Sequence, residues 1–133
     1  MVIERAEGGS GRDSITGNEA ANWLDGNAGN DTIFGGAGND TMLGGRGDDV
    51  LTGEDGADIF AFVMGDNSLT ITDFEPGVDD LAFVGLPSGF TASNLLPFIS
   101  QVGSDVMIAA GGQQVVFENT LLSELSGGDV IFV

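Results

Sequence analysis

The chain of 133 residues contains no cysteine, histidine, lysine or tyrosine, and its basic residues are three arginines. Without cysteine and histidine, it lacks essential residues of Ser-His-Asp and Cys-His enzymes and the imidazole ligands of His-bound zinc. Without lysine, it can form no Schiff base. The fold uses no disulfides, which neither requires nor excludes an extracellular location.

The balance of charge excludes further classes of function. Twenty-one acidic residues give a formal net charge of −18. Nucleic-acid binding needs clustered lysine and arginine, and the arginines form no patch, so we expect no nucleic-acid partner. Residues 81–104 carry no charge, but prolines and glycines interrupt them, so we expect no membrane span. Residues 1–7 lack the apolar stretch of a cleaved signal peptide.

The same charge indicates an external cation. A hydrophobic content of 41% with nine phenylalanines allows the chain to collapse, provided that its negative charge is neutralised. No cation-rich segment is available for this purpose. Carboxylates spaced among glycines suit a hard ion that prefers oxygen ligands, and calcium is the first candidate.

A nine-residue repeat organises the first half of the chain. From residue 8, six consecutive units share the same residue classes at the same positions: GGSGRDSIT, GNEAANWLD, GNAGNDTIF, GGAGNDTML, GGRGDDVLT and GEDGADIFA. Position eight is always apolar: Ile15, Leu24, Ile33, Met42, Leu51 and Phe60. Position six is aspartate in five units and Asn22 in the second.

Each unit predicts a glycine-rich loop followed by a three-residue strand. Glycines at positions one, two and four allow positive φ angles and leave the loop carbonyls uncovered. Positions seven to nine form the strand, with the position-eight side chain pointing into a thin core. If each loop reverses the chain, two units make one coil of 18 residues, and odd and even units stack in separate sheets.

Stacking would bring the position-six side chains into two rows. Within each row, successive side chains would lie about 4.8 Å apart. The odd row is Asp13, Asp31 and Asp49, and the even row is Asn22, Asp40 and Asp58. Calcium takes six to eight oxygen ligands, which fits a slot between neighbouring loops lined by these side chains and by loop carbonyls. The candidate carbonyl donors lie at positions three and four: Ser10, Gly11, Ala28, Gly29, Ala37, Gly38, Arg46 and Gly47.

The repeat resembles G-G-x-G-x-D-x-U-x, the calcium-binding nonapeptide of the repeats-in-toxin (RTX) family. Units one, four and five match it fully. Asn27 and Glu54 each depart at position two, and Glu54 should strain its loop there. Unit two departs at three positions, so we expect weak or no calcium binding at its level. The resemblance implies an all-β fold, a right-handed parallel β-roll with calcium ions between stacked loops.

Beyond the repeats, the sequence predicts a mostly β C-terminal cap. We divide the chain into a leader (1–7), the six repeats (8–61) and the capping segment (62–133). Residues 71–83 resemble the segment that follows the repeats in RTX proteins, which makes Asp73, Asp79 and Asp80 candidate calcium ligands; the alternative is solvated turn residues.

Three further features of the cap and the roll surface are predicted. Gly111-Gly112 indicates a hairpin between 106–110 and 114–117, and Thr120 predicts the start of a helical turn that runs to Leu125. Residues 129–133 resemble the acidic-then-apolar terminus of RTX proteins exported by type I secretion, and they also suit a final strand. Trp23 should point outward, either as a partner surface or covered by another segment.

The resemblance implies a noncatalytic module that folds on binding several calcium ions. It would be secreted and extracellular, with the type I secretion machinery and a catalytic or adhesive domain of a longer parent chain as partners. The alternative is a polysaccharide-binding module like those attached to alginate epimerases, although three arginines and no lysine argue against gripping a polyanion directly. No pair of acids is placed around a cleft as in glycosidases, so we expect no enzyme activity.

Overall fold

A computed structural model describes residues 4–132 of the chain. The strands are Glu4–Glu7 (β1), Ser14–Thr16 (β2), Asn22–Asp25 (β3), Thr32–Phe34 (β4), Thr41–Leu43 (β5), Asp48–Thr52 (β6), Ile59–Val63 (β7), Ser68–Ile71 (β8), Asp80–Val84 (β9), Ile99–Val102 (β10), Asp105–Ala110 (β11), Gln113–Phe117 (β12) and Val130–Phe132 (β13). A short helix spans Ala92–Leu95 (α1), and 3₁₀ turns span Leu96–Phe98, Leu122–Glu124 and Gly127–Asp129. Within 4–132, no helix is long and apolar enough to cross a membrane.

The repeats form the predicted parallel β-roll. Strands β3, β5 and β7 of the even units lie in one sheet, in the order β1-β3-β5-β7-β9-β13, and strands β2, β4 and β6 of the odd units lie in the other, where β8 follows β6, so the chain alternates between two sheets. The register follows the 18-residue coil: Ile33 pairs with Leu51 in one sheet, and Leu24 pairs with Met42 in the other. The expected all-β fold is therefore confirmed.

The core of the roll is one side chain wide per strand. Leu24, Ile33, Met42, Leu51 and Phe60, all at position eight, are buried. The first member of the series, Ile15, is only partly buried because it lies in the terminal coil. Each buried aliphatic or aromatic side chain contributes about 1.5–3 kcal/mol of transfer free energy. This thin core must also hold together repeats that carry ten of the 21 acidic residues.

Parallel stacking continues beyond the six repeats. Strand β8 pairs with β6 and strand β9 pairs with β7, which adds one more coil. The coil is longer here, since Leu51 pairs with Ile71 and Phe60 pairs with Leu81. Leu69, the residue that keeps the nine-residue register, is buried beside them. The loss of the repeat at residue 62 therefore reflects a change of coil length within a stack that goes on.

The C-terminal segment completes both sheets and builds a larger aromatic core. Strands β10, β11 and β12 form an antiparallel meander joined to β8, and the predicted Gly111-Gly112 hairpin lies between β11 and β12. The ring centroids of Phe74 and Phe117 lie 4.8 Å apart, edge to face, over the end of the roll core. Strand β13 pairs in parallel with β9. The C-terminal strand is therefore present over Val130–Phe132, while Val133, like residues 1–3 of the leader, lies outside the described residues.

The predicted helical turn after Thr120 begins one residue later than expected. Leu121 occupies the N-cap of the Leu122–Glu124 turn, and the Glu124 carboxylate accepts the Leu121 N–H at 3.0 Å. Thr120 is buried, and its hydroxyl donates to the Glu118 carbonyl at 3.0 Å. The predicted turn is therefore present, but the predicted cap was wrong, because Leu121 takes the N-cap position and Thr120 is bonded backward along the chain.

Candidate calcium-binding sites

The position-six side chains form two hydrogen-bonded ladders between coils. In the odd row, the Asp13 N–H donates to Asp31 Oδ1 at 2.7 Å, and the Asp31 N–H donates to Asp49 Oδ1 at 2.8 Å. In the even row, the Asn22 N–H donates to Asp40 Oδ1 at 2.8 Å, and the Asp40 N–H donates to Asp58 Oδ1 at 2.9 Å. One carboxylate oxygen of Asp31, Asp49, Asp40 and Asp58 is thus fixed by the backbone of the preceding coil.

The second carboxylate oxygens in the middle of the rows lack donors. Oδ2 of Asp31, Asp40 and Asp58 is buried and accepts no hydrogen bond. A buried acceptor without a partner costs about 1–3 kcal/mol, and more when it is charged. These three oxygens are therefore positioned for a ligand that is itself positive.

Electrostatics within the rows work against an ion-free state. Burial raises the pKa of the Asp49 and Asp58 carboxyl groups to about 7; backbone hydrogen bonds oppose the shift, and neighbouring carboxylates add to it. Burial likewise raises the pKa values of Asp31 and Asp40. Ionising these buried carboxyl groups therefore costs free energy when no cation is bound, and a divalent cation would remove that penalty.

Position-one glycines leave space where carboxylate and carbonyl oxygens converge. A Cβ added to Gly35 would lie 2.6 Å from Asp40 Oδ2 and 2.8 Å from the Gly53 carbonyl oxygen, one coil further along. A Cβ on Gly8 would lie 2.6 Å from both Asp13 Oδ2 and the Gly26 carbonyl oxygen. Oxygens from two successive coils therefore face one small space in each case, as a calcium site between loops requires.

Loop carbonyls at position four also face the next coil. The Cβ of an alanine at Gly38 would lie 3.0 Å from the Ala20 carbonyl oxygen, and those at Gly29, Gly47 and Gly56 would collide with the carbonyls of the preceding position-four glycines. The predicted donors Gly11, Gly29 and Gly38 thus have carbonyls in the gaps between coils.

The predicted position-three donors are arranged less uniformly. The Arg46 carbonyl accepts the Gly29 N–H at 2.9 Å, and Ala28 forms a parallel bridge with Arg46. Ser10 and Ala37 lie at the same repeat position and are exposed. The predicted set of donors left out the position-one carbonyls, such as that of Gly53, although the glycine spacing already indicated uncovered carbonyls at that position.

The three acidic residues predicted after the repeats have different surroundings. Asp79 continues the even row: its Oδ1 accepts the Asp58 N–H at 2.9 Å, and its Oδ2 accepts the Glu75 N–H at 2.9 Å. Asp73 accepts the N–H groups of Gly53 and Glu54 at 2.8 and 2.7 Å. Asp80 begins β9 and is partly buried. The structure therefore brings Asp79 into the row, places Asp73 beside its loop, and keeps Asp80 in a strand.

The oxygens available in these rows suit calcium, which accepts carbonyl ligands as well as carboxylates. Within residues 4–132, no three acidic side chains lie close enough together to form a metal site alone. An ion would therefore be held by carboxylate oxygens from successive row members and by backbone carbonyls. Such a set of hard, neutral and anionic oxygens is the donor set that calcium accepts, and the ion would supply the missing charge for the orphaned oxygens.

A comparison with protein families also indicates calcium-binding repeats. The RTX calcium-binding nonapeptide repeat, in four copies, matches residues 7–42 and 34–69. No curated protein matches the chain at a significant level.

Among solved structures, the extracellular lipase LipA from Serratia marcescens is similar, with a TM-score of 0.81 and 29% identity over 97% of this chain and 21% of the lipase. The chain thus spans about a fifth of that lipase. The AlgE6R3 subunit of the Azotobacter vinelandii mannuronan C5-epimerase is similar over 92% of this chain and 80% of the subunit, with a TM-score of 0.69 and 29% identity. The AlgE6R2 subunit of the same enzyme gives a TM-score of 0.57 at 26% identity over 89% of this chain and 91% of the subunit.

Proposed function

Residues 7–69 belong to the RTX calcium-binding nonapeptide repeat family, and from this premise we propose that the chain is a noncatalytic module whose folding is driven by several calcium ions. The module would support the secretion, extracellular folding and stability of a longer bacterial protein. RTX proteins are typically secreted, and the similar lipase is extracellular and about five times longer than the region matched. Partners are then the type I secretion machinery and a catalytic or adhesive domain.

The observation that carries the proposal is the set of orphaned carboxylate oxygens. Oδ2 of Asp31, Asp40 and Asp58 is buried between coils with no donor, in a chain of net charge −18. Closing the roll without ions would bury these acceptors unpaired and bring like charges together. Calcium binds the closed roll and has no preformed site in the extended chain, so its binding free energy becomes folding free energy.

This coupling would give export a direction. Extracellular calcium modules need affinities of only about 0.1–1 mM. Inside a cell, where free calcium is scarce, charge repulsion would keep the chain extended and able to pass through a secretion channel. Outside, calcium would close the roll, and the folded module could not return.

A calcium titration of the chelated chain, followed by far-ultraviolet circular dichroism, tests the proposal. We expect a steep transition from coil to β structure with calcium and no transition with magnesium at matched ionic strength, since magnesium demands a tighter octahedral shell. The free energy of unfolding should rise with the logarithm of calcium concentration, with a slope set by the number of ions taken up on folding.

Two outcomes would overturn this account. A chelated chain that already shows the full β signal and does not respond to calcium would mean that the rows are stable without ions. An equal response to magnesium would point to general charge screening.

Whole-module similarity to the epimerase subunits supports a second candidate function. The match covers 80% and 91% of AlgE6R3 and AlgE6R2, so it involves most of each subunit. A noncatalytic module that binds a polysaccharide such as mannuronan is therefore the alternative, with bound calcium bridging to the polyanion. Trp23 is 40% exposed on the even sheet, so its fluorescence reports on binding there. Titration with oligosaccharides at fixed calcium tests this alternative. If the titration releases no heat and does not shift the Trp23 fluorescence, the alternative is excluded.

A further inference from the structure

Asn22 has a side-chain environment that differs from those of the other row members. It is 5% exposed, and its amide nitrogen Nδ2 faces four oxygens. These are the carbonyl oxygens of Ala20 at 2.9 Å, Asn18 at 3.2 Å and Gly35 at 3.3 Å, together with Asp40 Oδ1 at 3.1 Å. The amide has two hydrogens for four acceptors, so the oxygens surround the nitrogen more fully than an amide alone requires.

The four acceptors also determine the orientation of the amide. If the side chain were turned over, its oxygen would face four other acceptors, and each contact would be repulsive. The positive end of the amide dipole therefore points inward. It lies at the same place in the repeat as the orphaned Oδ2 atoms of Asp31, Asp40 and Asp58, which meet no donor.

The acceptors at Asn22 come from the same repeat positions that face the gaps elsewhere. They are the carbonyls of positions two and four, the position-one carbonyl one coil further along, and the carboxylate of the next row member. At Asp40, the equivalent position-one carbonyl is that of Gly53, and the carboxylate oxygen points toward the same space. The same arrangement of oxygens thus surrounds the NH₂ group of Asn22 at one level and faces an unpaired carboxylate oxygen of Asp40 at the next.

From this difference we infer that the amide of Asn22 takes the place of a calcium ion at the level between Asn22 and Asp40. This level is closed by hydrogen bonds, carries one carboxylate in place of two, and needs no ion of its own once the roll has formed. The inference rests on the proposed calcium-driven folding of the other levels. Its consequence is that calcium dependence is not uniform along the roll, because the oxygens at the first level of the even row already accept hydrogen bonds from the amide.

Two reciprocal substitutions, one from asparagine to aspartate in the even row and one from aspartate to asparagine in the odd row, test the inference. Asn22→Asp restores the repeat consensus, so it should add one ion per chain, measured by native mass spectrometry or calorimetry at saturating calcium. The reciprocal variant Asp31→Asn places an amide against the equivalent oxygens of the odd row and should remove one ion.

A third variant keeps the test informative if Asn22→Asp does not fold. Asn22→Ala removes the four contacts without restoring a carboxylate, so it should leave the ion count unchanged and destabilise the roll at every calcium concentration. Hydrogen exchange of β3 and β5 at saturating calcium should be slow in the parent chain and faster in Asn22→Ala.

The results separate failure of this inference from failure of the proposed function. If the parent chain binds no calcium, the proposed function itself fails. If the parent binds calcium but Asn22→Asp folds with the same number of ions, the level was not closed by the amide and the inference is wrong. Equal exchange rates for β3 and β5 in the parent and in Asn22→Ala at saturating calcium would also overturn it.

Discussion

Replacing Gly35 with alanine tests whether the space beneath a row carboxylate is needed for the calcium-bound state. The added Cβ would lie 2.6 Å from Asp40 Oδ2 and 2.8 Å from the Gly53 carbonyl oxygen. Both distances are well below an ordinary carbon–oxygen contact, and neither oxygen can move without disturbing the ladder. The backbone at Gly35 has no positive φ, so the effect comes from the occupied space and not from backbone strain.

The expected cost follows from the packing conflict. Inserting a methyl group into a filled site typically costs about 1–3 kcal/mol, and we expect about 2 kcal/mol at saturating calcium. The slope of unfolding free energy against the logarithm of calcium should also fall by about one ion, since two oxygens that face the site are displaced. Denaturant unfolding at a series of calcium concentrations measures both quantities.

Gly11→Ala is the matched control. A Cβ at Gly11 meets nothing within 4 Å and its φ is also not positive, yet Gly11 lies in the same type of loop. Both substitutions reduce the entropy of the unfolded chain by the same amount, so this effect cancels in their difference. If Gly35→Ala and Gly11→Ala have equal stability and equal calcium slopes, the reasoning about the space beneath the carboxylate is refuted.

Three further substitutions probe the row, the loop strain and the C-terminal strand. Asp40→Ala should lower the free energy of unfolding by about 2 kcal/mol or more and raise the calcium midpoint further than Asp13→Ala, because Asp40 is buried in the interior of the even row whereas Asp13 is partly exposed at the open end of the odd row; equal midpoints in a calcium titration would contradict the stacking. Glu54→Gly should stabilise the roll by about 1 kcal/mol in denaturant unfolding, because Glu54 adopts φ 67°, and Glu54→Gln, which keeps the strain and removes the charge, should not. Asp129→Ala should cost about 1–3 kcal/mol with an unchanged calcium slope, because the buried carboxylate accepts three hydrogen bonds that hold the C-terminal strand; a changed slope would show that it acts on the calcium sites.

The roll was predictable because each of its features repeats along the chain. The spacing of position eight predicted the core, and the alternation of units predicted which strands share a sheet; Leu24 beside Met42 and Ile33 beside Leu51 confirm both. The positive φ of Glu54 was also predictable, because the shape of the neighbouring loops imposes the conformation that glycine has at Gly36 and Gly45. Repetition therefore compensates for the weak signal of a three-residue strand.

Features that occur once were harder to predict from the sequence. The pairing of Ile71 with Leu51 requires a coil of different length, and no local signal specifies how the extra residues are accommodated. Thr120 has the residue type of a helix cap, but its burial and its bond to the Glu118 carbonyl are decided by tertiary packing. In the candidate sites, carboxylates were visible in the sequence, while carbonyl donors such as that of Gly53 depend on how two coils face each other.

The even row indicates how the calcium-dependent part of such a roll is limited. At its start, the oxygens that face the gap meet the amide of Asn22, and at its end, Asp79 Oδ2 accepts the Glu75 N–H. Between them, Oδ2 of Asp40 and of Asp58 has no donor. At each end of the row, an N–H group thus donates to the acceptor oxygens. An ion bound there would have an incomplete shell of oxygen ligands. The need for calcium is then concentrated in the interior of the row, where two coils supply oxygens to each ion and the gain on closing the roll is largest.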